Sequence, residues 1–301
     1  MKYDSIIIGP VSVDINIDCE GNTLRELGGA VVQAGWAAGR CGFRACVLTK
    51  AGGGVDVHGR FSGSGADVVV LESRSTCSIR NRYLTPDKER RECTALSVCD
   101  SFTLRDLQSF GGNSAEVYHF AGLIYGDFDR PEEMFRLRGA KVAVDVQGLL
   151  RHAEADGTMA FHDWREKLAC LPLIDYLKTD AAEAEILTGE SDRYRAAEIL
   201  SGWGAREVMI THNTEAIVFD GRNFYSCPLK PRNLSGRTGR GDTAFSGYVN
   251  NRIRQGIPEA LLFASALVSL KMEKPGPFNG TRQDVMNYID RFYSPDSVRV
   301  S

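Results

Sequence analysis

Hydrophobic and polar positions along the chain follow two periods. Short apolar runs, such as residues 3–9 and 44–49, are typical of buried strands. Between such runs lie segments with the helical period, of which residues 30–40 and 258–273 are the clearest. Strands that alternate with helices in this way predict an α/β fold built on a parallel sheet.

Two regions depart from this alternation. Residues 12–18 alternate apolar and polar side chains, and residues 76–84 and 92–98 are predicted to form a hairpin around Pro86-Asp87. Strands paired outside the βα pattern indicate a small sheet apart from the main body. Segments of approximately 11–28 and 75–99 would form this small sheet, which could act as a lid over a ligand site. The hairpin arginines could contact a phosphate, but a solvated charged face is the preferred interpretation. They are Arg80, Arg82, Arg90 and Arg91.

Length and composition narrow the class of protein. The 301 residues suffice for one large α/β domain over residues 1–301, and 43% hydrophobic residues with a net charge of −3 are ordinary. The absence of a basic block argues against a nucleic-acid partner, and the absence of a run of about 20 apolar residues argues against a membrane span. Eight scattered cysteines without a C-x-x-C pair predict reduced thiols in the cytoplasm.

The stretch at 234–249 carries the strongest chemical signal. A polar loop containing Gly239 and Gly241 ends at Asp242, and an apolar helical pattern follows at once. The glycines allow positive φ and close approach, and the helix adds the positive end of its dipole, so the loop is suited to bind an anion. A carboxylate at such a site is placed to take a proton from a hydroxyl that attacks a phosphate. The competing interpretation is an ordinary Asp N-cap, and we favour the catalytic one.

A second group of candidates lies near the N-terminus. Asp14 and Asn16 point the same way from their strand and could bind hydroxyl groups, although a solvated edge strand explains them equally well. Gly28 and Gly29 precede a helix and would let the backbone approach a ligand. Gln33 would face the same space.

Acidic residues also follow two of the predicted strands. Asp145 ends strand 141–146, where ligands bind in open α/β sheets. Asp180 and Glu183 are three residues apart on one helix face and could hold Mg²⁺ through waters. On the residues alone, the better interpretation is that these two acidic residues interact favourably with the positive end of a helix dipole.

Taken together, these motifs resemble the ribokinase-like or PfkB carbohydrate kinases over nearly the whole chain. Residues 28–42 are similar to the N-terminal glycine signature of that family, residues 238–243 to its C-terminal signature, and residues 180–189 to its N-x-x-E magnesium motif. Residues 144–148 resemble a branch that contains inositol-kinase-like members.

The resemblance implies a doubly wound, mostly parallel sheet with helices on both faces and a small β-sheet lid. It implies transfer of the γ-phosphoryl group of ATP, with Mg²⁺, to a hydroxyl of a sugar or polyol, and possible pairing of two chains through the lid. It assigns Asp242 as the base and the backbone around Gly239, Arg240 and Gly241 as the anion hole. The remaining assignments are substrate contacts by Asp14, Asn16, Gly28, Gly29 and Gln33, nucleotide contacts by Thr211, Arg237, Thr238 and Gly276, and Mg²⁺ contacts by Glu183 and Asp180.

The chain departs from the family pattern at several positions. The T-x-G nucleotide element falls on residues 211–213, Thr-His-Asn, and the first position of N-x-x-E is Asp180. Gly236 stands where many members carry an aspartate of a monovalent-cation site, so we do not expect potassium activation. Arg240 could act as an internal arginine finger, but we expect it to turn outward to solvent.

Two alternatives stay open. A nucleoside acceptor should require an aromatic wall near the lid, for which Tyr83 and Phe102 are candidates. The altered 211–213 element would also fit a non-catalytic sensor of sugars or nucleotides, although such a protein gains nothing obvious from Asp242.

Overall fold

A computed structural model describes residues 1–85, 90–109 and 114–301. The turn predicted at Pro86-Asp87 lies outside these residues. Within them the strands are β1 Lys2–Ile8, β2 Ser12–Ile17, β3 Thr23–Gly28, β4 Ala45–Ala51, β5 Asp67–Glu72, β6 Cys77–Tyr83, β7 Arg91–Ser97, β8 Ser114–Ala121, β9 Lys141–Asp145, β10 Arg151–Ala153, β11 Met159–Phe161, β12 Tyr176–Asp180, β13 Glu207–Thr211, β14 Glu215–Phe219, β15 Phe224–Pro228 and β16 Arg299–Val300. The α-helices are α1 Ala30–Arg40, α2 Val57–Phe61, α3 Leu104–Ser109, α4 Pro131–Met134, α5 Gln147–Leu150, α6 Lys167–Cys170, α7 Ala181–Thr188, α8 Arg193–Gly202, α9 Arg240–Arg252, α10 Ile257–Met272 and α11 Arg282–Phe292.

The main sheet has the order β16-β15-β14-β13-β12-β9-β8-β1-β4-β5 in the described part of the chain. Every pairing from β5 to β13 is parallel, and β14 to β16 extend the sheet antiparallel. One face packs its buried residues against α1, α9, α10 and α11, and the other against α4 to α8. This confirms the predicted doubly wound sheet with helices on both faces.

A separate sheet has the order β3-β2-β6-β7 and spans the segments predicted for the lid. Its two faces differ, because Ile79 and Asn81 are buried whereas Arg80 and Arg82 are exposed. These arginines therefore lie on a face that is solvent-exposed in the single chain, as expected. Whether the sheet moves as a lid stays a prediction.

Two elements of this region were not expected from the sequence. Strand β3 pairs antiparallel with β2 and leads directly into α1. The hairpin of β10 and β11 meets the small sheet through a bridge between Thr94 and Thr158. None of the helices in the described parts of the chain has the length and apolar character needed to cross a bilayer.

Candidate active site

The N-terminus of α9 begins one turn earlier than the apolar pattern indicated. Gly239 is the N-cap, with φ at 76° in the left-handed region that favours glycine. A Cβ at this position would also overlap the side chain of Gln33, which is buried on α1. The glycine therefore lets the loop fold tightly against α1, and Gln33 lies beside the predicted anion hole. No hydrogen-bond partner for Gln33 Oε1 occurs among the described residues.

Asp242 is the third residue of α9, so the N-cap interpretation of this aspartate is wrong. Desolvation, followed by the negative charge of Asp145, raises the pKa of Asp242 to about 6. The positive charges of Lys178, Lys271 and Arg151 act in the opposite direction. A carboxylate with a raised pKa that stays ionised near neutral pH has the properties of a general base.

A buried ion-pair network lies beneath this turn. Lys178 Nζ on β12 is 3.0 Å from Asp145 Oδ2 and 3.8 Å from Glu183 Oε2, and all three side chains are almost fully buried. A Cβ at Gly241 would lie 3.0 Å from Lys178 Nζ, which places the ammonium directly under the first turn of α9. Burial opposes the charged form of Lys178, but the carboxylates of Asp145, Glu183 and Asp242 outweigh it and hold the pKa of Lys178 above its usual value.

Asp180 and Glu183 form a capping box at the start of α7. Glu183 N–H donates to Asp180 Oδ1 and Asp180 N–H to Glu183 Oε2, both at 2.8 Å. The structure thus confirms that these acids stabilise the start of the helix. One oxygen of each carboxylate accepts a hydrogen bond in the capping box. The part of the chain that the structure describes contains no cluster of three or more His, Cys, Asp or Glu that could hold a metal directly. A water-mediated Mg²⁺ contact fits the two remaining oxygens and stays a prediction.

The predicted substrate residues come together at the base of the small sheet. Asp14 lies against Gly28, since a Cβ there would be 2.5 Å from Asp14 Oδ2. Gly29 has φ at 104° and turns the chain from β3 into α1. Gly28 is required because Asp14 approaches the backbone too closely for a Cβ, and Gly29 is required because its φ is positive.

A row of polar side chains crosses the same face of the small sheet. Asn16 Nδ2 donates to Glu26 Oε1 at 2.9 Å, and Asn81 Nδ2 donates to Asn16 Oδ1 at 3.0 Å. Cys93 Sγ is 3.3 Å from Asn81 Oδ1. The charges of Asp242 and Glu26 both act on Lys271, so the first turn of α9 and the polar row both lie near that ammonium.

The predicted donor residues lie on three separate segments of the chain. Arg237 and Thr238 precede α9, and the positive-φ residue Gly276 follows α10. Thr211 is buried at the end of β13. The loop before α9 lies beside the end of α10, because Gly236 N–H donates to Met272 O at 2.7 Å.

Arg240 makes a hydrogen bond in a solvent-exposed part of the loop. Its Nη1 donates to Asn213 Oδ1 at 2.8 Å, and the residue is half-buried. The guanidinium therefore connects the anion loop to the altered 211–213 element.

Three basic residues near Asp242 were missed from the sequence. Lys178, Lys271 and Arg151 are all buried, and the charge of each acts on Asp242. The two lysines interrupt apolar segments, and a lysine among apolar neighbours was the available signal. A lysine near the end of a helix is usually a surface residue. For this reason the sequence did not indicate that Lys271 is buried.

The sequence is similar to those of known carbohydrate and nucleoside kinases. Residues 132–284 match the family model described as pfkB family carbohydrate kinase. A cytidine kinase of Thermococcus kodakarensis is 30% identical over 142 residues, which are 45% of this chain and 47% of that protein. A ribokinase of Haemophilus influenzae is 29% identical over 135 residues, 40% of this chain and 42% of that protein. The chain thus spans less than half the length of each of these two curated relatives.

Solved structures align over a longer range. A pyrophosphate-dependent kinase of the ribokinase family, in complex with a pyrophosphate analogue and myo-inositol, is 34% identical with a TM-score of 0.82. The match covers 94% of this chain and 99% of that one. Ribokinase of Arabidopsis thaliana, in complex with ribose and ATP, is 15% identical with a TM-score of 0.76, covering 98% and 100%. The second likeness shows the fold alone.

Proposed function

The chain belongs to the pfkB family of carbohydrate kinases, and from this premise we propose that it transfers a phosphoryl group to a hydroxyl of a polyol, with Asp242 as the general base. The observation that carries the proposal is the position of Asp242. Its carboxylate lies in the first turn of α9 and has a raised pKa. It also lies in a site that the polar row of the small sheet faces. A base must reach the proton that it abstracts, and this arrangement brings a bound hydroxyl to it.

The other residues of the site have supporting roles in this proposal. The backbone N–H groups of Gly239, Gly241 and Asp242 would hold the charge that develops on the transferring phosphoryl group, whereas Arg240 N–H donates to Arg237 O at 3.3 Å. Lys178 would fix the loop from below, and Gln33 would contact either the substrate or the phosphoryl group.

The acceptor is proposed from the chemistry of the polar row. Asp14, Asn16, Glu26 and Asn81 offer carboxylate and amide groups that can each bind a hydroxyl, so the site suits a compact molecule with several hydroxyl groups. A cyclitol such as an inositol meets this description. The structure of the 34% identical kinase with myo-inositol supports this choice.

ATP is the donor that the family resemblance implies. Mg²⁺, held through waters by the free oxygens of Asp180 and Glu183, would neutralise charge on its phosphates. Thr211, Arg237, Thr238 and Gly276 would surround the nucleotide.

Inorganic pyrophosphate is a second candidate donor. The bond from Arg240 to Asn213 holds a guanidinium between the anion loop and the element that departs from T-x-G. A guanidinium at this place suits a compact polyanion, because it offers several N–H donors to phosphate oxygens. The pyrophosphate-dependent kinase that is 34% identical supports the same candidate.

The two alternatives are less well supported by the site. Phe102 is fully buried among core residues next to Phe128 and does not form a wall for a nucleoside base. The cytidine kinase that matches 45% of the chain keeps nucleosides among the acceptors to test. A sensor would have no use for the position of Asp242.

The proposal is tested by a matrix of acceptors and donors. Sugars, polyols including inositols, and nucleosides including cytidine are incubated with ATP or pyrophosphate, and phosphate esters are detected by ³¹P NMR. We expect an ester with an inositol or related polyol and none with the Asp242→Asn variant at the same time point. Phosphorylation of nucleosides alone would contradict the acceptor class. Binding of donor and polyol without any ester would favour the sensor.

A further inference from the structure

Lys271 is the lysine that the proposed reaction leaves without a role. It lies in the last turn of α10, yet it is only 3% exposed. Lysine is almost never fully buried without partners, because removing an ammonium from water is costly. Its contacts should therefore explain its position.

The ammonium is held by backbone carbonyls of the loop that leads into α9. Lys271 Nζ donates to Gly236 O at 2.6 Å and also to Thr238 O. Two further bonds tie the same loop to the end of α10, from Ser235 Oγ to Glu273 O at 2.8 Å and from Gly236 N–H to Met272 O at 2.7 Å. The lysine thus belongs to a set of contacts that fixes this loop.

The geometry of the peptide bond connects these carbonyls to the anion hole. In a trans peptide the C=O of one residue and the N–H of the next point in opposite directions. When Thr238 O points at the ammonium, the N–H of Gly239 points away from it, and Gly236 O fixes the N–H of Arg237 in the same way. The positive charge on one side therefore sets the direction of the donors on the other.

Two carbonyl oxygens directed at one point repel each other, and a cation between them stabilises the arrangement. Exchangeable monovalent cations satisfy such groups in other proteins, as in potassium-selective filters. Here Gly236 brings no carboxylate to help hold a free cation, and the tethered ammonium supplies the charge instead.

We propose that Lys271 is a built-in monovalent cation: a positioning residue that orients the backbone donors of the 236–239 loop and makes the enzyme independent of potassium. The activity part of this inference rests on the proposed function. The binding part does not. Lys271 acts through the loop and does not contact the reacting atoms.

The charges around Lys271 agree with this role. Burial lowers the pKa of Lys271 to about 8, and the charges of Asp242 on α9 and Glu26 on β3 act in the opposite direction. The side chain thus stays mainly an ammonium at neutral pH.

The test replaces Lys271 by Met, which keeps the length of the side chain and removes the charge. The matched control is Lys274→Met, because Lys274 is exposed and lies one turn further on. Each protein is measured at constant ionic strength in tetramethylammonium, lithium, potassium or ammonium chloride. The readouts are the thermal unfolding midpoint and, with the acceptor found above, the turnover rate.

We expect the wild type and Lys274→Met to respond to neither potassium nor ammonium. Lys271→Met should lose turnover by roughly 10²-fold, the scale seen when an oxyanion donor is removed. Potassium or ammonium should restore most of it and raise the unfolding midpoint, whereas lithium and tetramethylammonium should do neither. Lys271→Gln, which keeps an N–H donor without the charge, is the second variant if Lys271→Met does not fold.

Three results would overturn the inference: potassium activation of the wild type, unchanged turnover in the folded variant, or a loss of turnover and of midpoint that no cation restores. The midpoint measurement needs no turnover. If no acceptor is found but potassium stabilises only the Lys271 variants, the proposed function fails and the cation inference stands.

Discussion

At the scale of single residues, the site depends on buried charges that neutralise one another. Lys178 pairs with Asp145 on the neighbouring strand and lies near Glu183 and Asp242. Each of these carboxylates would be costly to bury alone. The Lys178 ammonium therefore stabilises the fold beneath the first turn of α9 and also neutralises the carboxylates buried there.

Replacing Lys178 by Met tests this network. The variant leaves Asp145 buried without its partner, and we expect the free energy of unfolding to fall by about 3–5 kcal/mol. Urea unfolding followed by circular dichroism measures the loss. Adding Asp145→Asn should recover part of it, because the uncompensated charge is then removed.

Lys141→Met is the matched control for that experiment. Lys141 Nζ is 2.8 Å from Asp175 Oδ1, but the lysine side chain is 49% exposed. A surface pair of this kind contributes about 0–1 kcal/mol. Equal losses for Lys178→Met and Lys141→Met would contradict the importance of the buried network.

The residues that could be predicted from the sequence are those with local signatures. Asp242 beside two glycines and Gly28-Gly29 before a helix are visible as short patterns, and the structure places them around one space. Lys178 and Lys271 could not be assigned, because their partners are 33 and 35 residues away and are not identified by local periodicity. The contact of Arg240 with Asn213 could not be predicted for the same reason, since Asn213 lies 27 residues before Arg240.

At the scale of elements, the start of α9 depends on the left-handed conformation of Gly239. This conformation turns the chain into the helix with the anion loop already folded. Gly189, which ends α7, has nearly the same φ, 74°, but a Cβ at Gly189 would meet no other atom within 4 Å. Substituting each glycine in turn therefore separates two energetic costs. Both positions carry the cost of the left-handed conformation, and only Gly239 adds a steric overlap.

Gly239→Ala should reduce stability and turnover together. The positive φ costs about 1–2 kcal/mol for a residue with a Cβ, and the overlap with Gln33 should displace the loop, so that turnover falls by roughly 10²-fold. Gly189→Ala should lose similar stability and keep its turnover. Thermal unfolding and steady-state rates compare the two, and a wild-type rate for Gly239→Ala would show that the loop position is not needed.

Elements with a clear period were predicted within one or two residues, including α1 and α11, whereas two kinds were not. Strand β3 is largely exposed and carries charged residues, so its apolar pattern is weak. The first turn of α9 is glycine-rich and polar, because it is shaped for an anion and does not follow the helical pattern.

At the scale of the whole molecule, the small sheet has two faces with different chemistry. The polar row lies on one face, while Val13, Ile15 and Ile17 on β2 point the other way, beside the exposed Arg80 and Arg82, and are only half-buried. Half-exposed apolar side chains in a row are typical of a surface that another chain covers.

We therefore predict that two copies pair through this outer face. Light scattering should give about twice the 33.1 kDa mass of one chain. Ile15→Glu should return the mass to that of one chain, whereas Arg44→Glu, far from this sheet in sequence and on the main body, should not. A single-chain mass for the wild type at micromolar concentration would rule the pairing out.

The central claim is that Asp242 removes the proton of the acceptor hydroxyl, and the pH dependence of turnover tests it most directly. Rates of the wild type and of Asp242→Asn are measured from about pH 5 to about pH 9 with the acceptor found in the matrix. Because a base must be ionised, the wild-type rate should fall roughly tenfold per pH unit below the raised pKa of about 6. Asp242→Asn should be slower by roughly 10² to 10⁴ and should lack this dependence. A variant with the wild-type rate and the same pH profile would contradict the assignment of Asp242 as the base.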